Sequence, residues 1–212
     1  MAERMAASDK ASVETVTSMR RWTDALFSFR TTRAADFDFV PGQFARLGLD
    51  DGSGILWRAY SIVSAPHEAE LEYYAVLVPQ GAFSPLLERL KPGDPILTER
   101  ESYGFMTADR FPPSGKDLWM LATGTGLGPF LSILQDARVW QKYRHLILVH
   151  GVRFAEELAY RELLAKLQTH PPAHSTAKLL LVQSVTREPE HHDPEHLRGR
   201  ITGVLDVGQL EK

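Results

Sequence analysis

Residues 118–134 read Leu-Trp-Met-Leu-Ala-Thr-Gly-Thr-Gly-Leu-Gly-Pro-Phe-Leu-Ser-Ile-Leu. An apolar run breaks at Gly124, Gly126 and Gly128 and resumes at Phe130, Leu131, Ile133 and Leu134. That order predicts a buried strand, a tight turn and a helix. Pro129 suits a first helical turn, where a missing N–H costs little. The glycines permit positive φ and let a phosphate come close to the backbone. The helix N-terminus behind them offers free N–H donors and a partial positive charge. A purely structural turn would use the same glycines, so the rest of the chain has to decide.

Downstream, residues 118–122, 145–150 and 179–185 read as strands, and 130–140 and 156–167 as helices. This alternation predicts a parallel sheet with right-handed crossovers. Residues 188–198 read as a polar loop and 201–210 as a last helix interrupted by Gly203 and Gly208. Upstream, residues 11–110 carry short runs rich in aromatic and β-branched residues between turn signals such as Pro41-Gly42 and 50–54. Runs at 12–17, 25–30, 43–49, 56–63, 71–78 and 96–100 predict an antiparallel barrel, with a short helix over 84–90. Residues 111–117 read as a linker by composition, and 1–10 as a disordered start.

The chain of 212 residues contains no cysteine, which excludes a disulfide, a thiol nucleophile and a cysteine-ligated iron–sulfur cluster on this chain. If it moves electrons, it must do so on an organic cofactor. A net charge of −3 argues against nucleic acid or a membrane surface as partner. No apolar run approaches membrane-spanning length, and residues 1–10 lack the apolar core of a secretory signal, so a cytoplasmic protein is expected. Separately, a monomer is expected. His191, His192, Asp193, Glu195 and His196 cluster in the polar loop without metal-ligand spacing, and a solvated loop is the better reading.

Two patterns upstream carry chemistry. In Arg58-Ala59-Tyr60-Ser61, Arg58 and Tyr60 share one face of a strand and Ser61 the other. Arginine can clamp a diphosphate, a tyrosine ring can lie on a flat heteroaromatic ring, and serine can bond a ring nitrogen. An exposed arginine beside a core tyrosine is the plain alternative. Gly81-Ala82-Phe83-Ser84 precedes the short helix and offers a second phosphate cradle, with Ser84 as the default N-cap.

These motifs occur in one order with Val78-Pro-Gln-Gly81, Leu90-Lys-Pro-Gly-Asp94 and Leu148-Val-His-Gly-Val-Arg153. Over residues 11–212 the chain resembles bacterial ferredoxin/flavodoxin–NADP reductase. The resemblance implies an N-terminal antiparallel six-stranded β-barrel that binds FAD over 11–110. It implies a C-terminal α/β domain with a parallel sheet that binds NADP over 118–212. Family members continue with a further strand bearing a Cys-Gly-x-Pro-like motif and a tail that packs on the flavin. Neither follows here, so the α/β domain is expected to be incomplete at its C-terminus.

The resemblance puts Arg58 on the FAD diphosphate, Tyr60 against the isoalloxazine and Ser61 near its reactive nitrogen, as the one catalytic candidate. Ala59, Tyr74, Ala75 and Val76 fall on the flavin-lining strands, and Ala82, Phe83 and Ser84 on the diphosphate loop. Thr123, Gly124, Thr125 and Gly126 fall on the nicotinamide-nucleotide turn, with Thr125 reaching both cofactors. Arg153, Thr186 and Arg187 lie just past strand ends, where open α/β sheets bind ligands, and Arg200 matches a further family arginine. With no acidic residue ending the second strand, these arginines favour NADP over NAD, although each has a solvated surface charge as its alternative. The implied activity is electron transfer between NADPH and a ferredoxin or flavodoxin through FAD. An NADH-dependent oxygenase reductase and a flavin- or nucleotide-binding fragment without turnover are the alternatives. Arg20, Arg21, Arg30 and Arg33 are either a basic docking face or solvated charges.

Overall fold

Residues 5–111, 115–187 and 196–204 are described by a computed structural model. Six strands, β1 (Ala11–Arg21), β2 (Leu26–Thr32), β3 (Phe44–Asp50), β4 (Ile55–Ser61), β5 (Glu70–Val76) and β6 (Pro95–Tyr103), pair antiparallel in the order β4-β3-β6-β1-β2-β5. A bridge between Ile62 and Tyr73 joins the two outer strands, and Val63 N–H donates to Glu72 O at 2.8 Å. The sheet therefore curls round into a barrel whose seam is bonded at this point. Val16, Phe27, Phe29, Leu47, Ile62, Tyr73 and Ile96 fill the interior, and Leu87 of α1 (Ser84–Glu88) packs against them. The alternation in β1 does not run as its apolar residues suggest. Val13 faces solvent, whereas Glu14 is buried and its carboxylate accepts from the Thr32 hydroxyl.

The second sheet is parallel. It consists of β7 (Asp117–Thr123), β8 (His145–Val152), β9 (Lys178–Val185) and β10 (Leu197–Arg198) in the order β10-β9-β8-β7. Leu118, Met120, Ala122, Leu146 and Leu148 point to one face, where α2 (Gly128–Leu134), α3 (Ala137–Lys142) and α4 (Arg161–Thr169) cover them. Ile147 and Val149 point to the other face and meet Ile201 of α5 (Ile201–Val204).

Three expectations change. The helix over 130–140 is two helices, because Asp136 leaves helical geometry (ψ 113°) and caps α3 by accepting from Arg138 N–H. The helix over 156–167 begins only at Arg161. Ala155–Glu157 form a 3-10 turn, and Tyr160 takes a left-handed conformation (φ 60°) at the entrance to α4. The loop over 188–198 ends in strand, since Leu197 and Arg198 pair with β9. Of the helix over 201–210, residues 205–210 lie outside the described residues, as do 112–114 of the linker. Of the residues expected to be a disordered start, 5–10 lie along the barrel, where Met5 packs on its core.

The two sheets share a core. Leu26, Val63 and Tyr74 of the barrel pack with Leu127, Phe130 and Tyr160 of the α/β part. Ser132 Oγ donates to Ser64 O at 2.7 Å, Gln135 Nε2 to Val63 O at 2.8 Å, and Tyr160 hydroxyl to Glu72 at 2.8 Å.

Gly42 sets the turn before β3 at φ 99°, and a Cβ there would lie 1.9 Å from Met106 O. Gly42→Ala should destabilise the chain by about 2 kcal/mol or more through strain and this backbone collision. Urea unfolding without added nucleotide checks it; an unchanged midpoint would mean that the 104–107 segment yields instead.

Candidate functional site

Two cavities open where the barrel meets the parallel sheet. One, of about 480 Å³, lies along β4 and β5 and is bounded by the 81–84 loop and by Thr125 and Gly126. It gathers every residue expected to bind FAD: Arg58, Ala59, Tyr60, Ser61, Tyr74, Ala75, Val76, Ala82, Phe83, Ser84 and Thr125. The Arg58 side chain is exposed and bonds only its neighbour's carbonyl, Trp57 O, among the described residues. Arg46 on the adjacent strand, by contrast, is tied to Glu99 at 2.7 Å. Tyr60 leans on Phe83 and meets the edge of Phe29, with ring centroids 5.7 and 6.3 Å apart. Burial pushes the Tyr60 hydroxyl up to about 12, against the opposing pull of Arg58, so it stays protonated.

Ser61 stands against the glycine turn, and a Cβ added to Gly128 would lie 3.6 Å from Ser61 Cβ. The turn and the barrel wall are thus within ordinary contact distance of one another at Gly128. Two residues of this set behave differently from the simplest expectation. Tyr74 points away from the barrel interior and packs edge-on to Tyr160, with centroids 5.3 Å apart. Ser84 does not cap α1; its hydroxyl accepts from Val78 N–H at 2.9 Å and donates to Val78 O, closing the 78–84 loop.

The second cavity, of about 780 Å³, lies over the carboxyl ends of the parallel strands. Thr123, Gly124, Thr125, Arg153, Thr186, Arg187 and Arg200 line it, whereas Gly126 lines the first cavity instead. Val76 and Thr125 belong to both walls, so the two spaces meet there. Gly124 has φ 50°, and a Cβ there would meet nothing within 4 Å, so the turn faces open space. Thr186 and Arg187 continue the strand ladder past β9, donating from their N–H groups to Val152 O and Arg153 O at 3.1 and 2.8 Å. Arg187 and Arg200 are exposed and form no ion pair among the described residues.

Three residues escaped the sequence reading. Glu157 lines the second cavity and its carboxylate accepts from Arg153 Nε at 3.0 Å and Nη2 at 2.6 Å. No acidic residue ends β8, yet the 3-10 turn folds one back beside it. Burial would raise the Glu157 carboxyl, but the Arg153 side chain and the N–H groups of Arg153 and Phe154 outweigh it and hold it low. Tyr160 joins Glu72, Tyr74 and Trp22 beneath the site. His150 is buried under the glycine turn, its Nε2 3.1 Å from Gly124 O, so Nε2 carries the proton. Burial pushes its pKa down to about 4 despite that bond. Only the spacing of the strand-end motif hinted at His150; nothing local marked the other two.

Other expectations redistribute. Arg30 is held by Glu68, Glu70 and Glu72, and Arg33 by Phe37 O, Pro66 O and Glu68 O, so neither is a docking charge. His191, His192, Asp193 and Glu195 lie outside the described residues; among the described residues no three metal-ligating side chains cluster. No described helix is long and apolar enough to cross a membrane.

The oxidoreductase NAD-binding domain family matches residues 120–205. The chain is 40% identical over 203 residues to the ferredoxin–NADP reductase of Pseudomonas aeruginosa, covering 93% of this chain and 75% of the relative. It is 41% identical over 196 residues to the flavodoxin/ferredoxin–NADP reductase of Escherichia coli, covering 92% and 75%. A crystal structure of a ferredoxin NADP+ reductase from Neisseria gonorrhoeae with bound FAD and NADP superposes with a TM-score of 0.87 at 38% identity, over 96% of this chain and 79% of that one.

His150 leads to a pH prediction. Folded, it stays neutral down to about pH 4, whereas an unfolded histidine protonates near 6.5. Between those values the unfolded chain binds more protons, so the contribution is full above pH 6.5 and is lost as pH falls toward 4. The loss is on the order of 3 kcal/mol. In His150→Gln, the fall in urea midpoint between pH 6.5 and 4.5 should be shallower than in the wild type; parallel curves would remove His150 from the acid limb.

Proposed function

The chain belongs to the ferredoxin/flavodoxin–NADP reductase family, and from that premise we propose how its two cavities divide the work. The activity is electron transfer between NADPH and a ferredoxin or flavodoxin through FAD. One observation carries the reading: two cavities meet at Val76 and Thr125, with one arginine in the first and two in the second that form no ion pair among the described residues. FAD, when bound, supplies the hydride and single-electron chemistry.

The protein's part is position and charge. Arg58, free of any described carboxylate, offers its N–H fork to the FAD diphosphate. Tyr60 presents a protonated, half-buried ring against which a flat heterocycle can lie. Ser61 lines the first cavity against the glycine turn, where its hydroxyl would bond a ring nitrogen of the flavin. Thr123, Gly124, Thr125 and Gly126 form the turn that would take the nicotinamide nucleotide, while Arg153, Thr186, Arg187 and Arg200 line the cavity and would hold its 2′-phosphate. Ala59, Tyr74, Ala75, Val76, Ala82, Phe83 and Ser84 complete the flavin wall. Residues 11–110 then form the flavin domain and 118–212 the nucleotide domain. The electron partner docks on a cytoplasmic monomer.

Absorbance tests the flavin: the purified protein, or the protein mixed with FAD, should show a bound-flavin spectrum. Arg58→Ala should weaken FAD binding by about 1.5–3 kcal/mol, the worth of a charged hydrogen bond. A preparation that takes up no FAD would overturn the reading. Arg187→Ala should cost NADPH efficiency about 1.5–3 kcal/mol and leave NADH efficiency near its starting value. An unchanged NADPH to NADH ratio would count against NADP selection at this position. Bound flavin without ferricyanide reduction by NADPH would make the chain a binding module.

A further inference from the structure

We infer that Glu157 is a positioning residue for 2′-phosphate recognition, acting through Arg153. The inference rests on the NADP reading above and deepens it.

One buried carboxylate, 7% exposed, accepts four N–H groups. Arg153 gives its backbone N–H at 2.8 Å, its Nε at 3.0 Å and its Nη2 at 2.6 Å, and Phe154 gives its backbone N–H at 3.3 Å. Both the chain direction after β8 and the plane of the guanidinium are thereby set by a single group. Arg153 Nη1 bonds no described residue, and the side chain is 53% exposed where it borders the second cavity. Arg187 N–H donates to Arg153 O at 2.8 Å, so the neighbouring arginine is registered on the same backbone.

A carboxylate near the second strand of a dinucleotide-binding sheet ordinarily accepts from a ribose 2′-hydroxyl and selects against a 2′-phosphate. Here it lines the cavity, but its acceptor capacity is taken by four protein donors. Its charge opposes a phosphate, and its geometry favours one. A long arginine side chain held in one orientation loses less freedom when it grips its ligand. The two effects have opposite signs, so a measurement separates them.

The experiment compares the wild type with Glu157→Gln, binding 2′-phospho-AMP and AMP by calorimetry, which needs neither flavin nor turnover. The expected result is a loss of roughly tenfold for 2′-phospho-AMP with AMP within about twofold, the size of a typical coupling between contacting residues. In the flavin-loaded enzyme, KM for NADPH should rise with kcat held, and KM for NADH should stay put. In an Arg153→Ala background, Glu157→Gln should change nothing further. If Glu157→Gln does not fold, Glu157→Asp, whose shorter side chain cannot span the same donors, should show the same selective loss. Tighter 2′-phospho-AMP binding would mean that charge outweighs orientation and would overturn the inference. Equal losses for both ligands would make the role merely structural and overturn it too. A wild type that does not prefer 2′-phospho-AMP to AMP would sink the NADP reading along with it, whereas a wild-type preference retained undiminished in the variant would sink the inference alone.

Discussion

The site depends on the shared core between barrel and parallel sheet. Val63 and Tyr74 of one sheet pack directly on Leu127, Phe130 and Tyr160 of the other. Around that apolar contact three side chains bond across, from Ser132 to Ser64, from Gln135 to Val63 and from Tyr160 to Glu72. Buried polar groups of this kind contribute little net stability each, but leaving one unpaired is costly, so they hold one relative placement. In that placement Ser61 and the turn at Gly128 come within contact distance. The meeting of the two cavities at Thr125 follows from that placement.

The arginines sort by what they face. Arg30, Arg33, Arg46 and Arg138 are tied to carboxylates or carbonyls and serve the fold. Arg58, Arg187 and Arg200 border the cavities with no ion pair among the described residues. A charge left without a partner at a concave wall is available to an anionic ligand, and arginine's fork suits phosphate. Arg153 is intermediate, half committed to Glu157 and half open. The histidine beneath the turn complements this: kept neutral by burial, it donates to Gly124 O without adding charge that would shift with physiological pH.

Much of this was legible because it is local. The strand–turn–helix at 118–134 is dictated by apolar runs, three glycines and a proline, and it folds as expected up to Leu134. The cavity motifs are also contiguous, and Arg58 to Ser61 sit on β4 as their spacing requires. What misled was also local in origin. Residues 130–140 are helical by composition, but Asp136 finds a cap at Arg138 N–H and stops the first helix. Residues 156–167 follow the helical period, but the Glu157 carboxylate bonds back to Arg153 and Tyr160 turns left-handed.

The amino-acid sequence by itself determined the two layers of structure, the glycine turn and the absence of thiol chemistry. These follow from periodicity, backbone freedom and composition, each readable within a few neighbouring residues. Only the tertiary structure decided which charges are spent and which are left. Arg30 meets Glu68 across 38 positions and Tyr160 meets Glu72 across 88, while Glu157 enters a cavity that no neighbouring residue announces. Pairing energies depend on distance and burial in three dimensions, and those are set by how the barrel and the sheet come together.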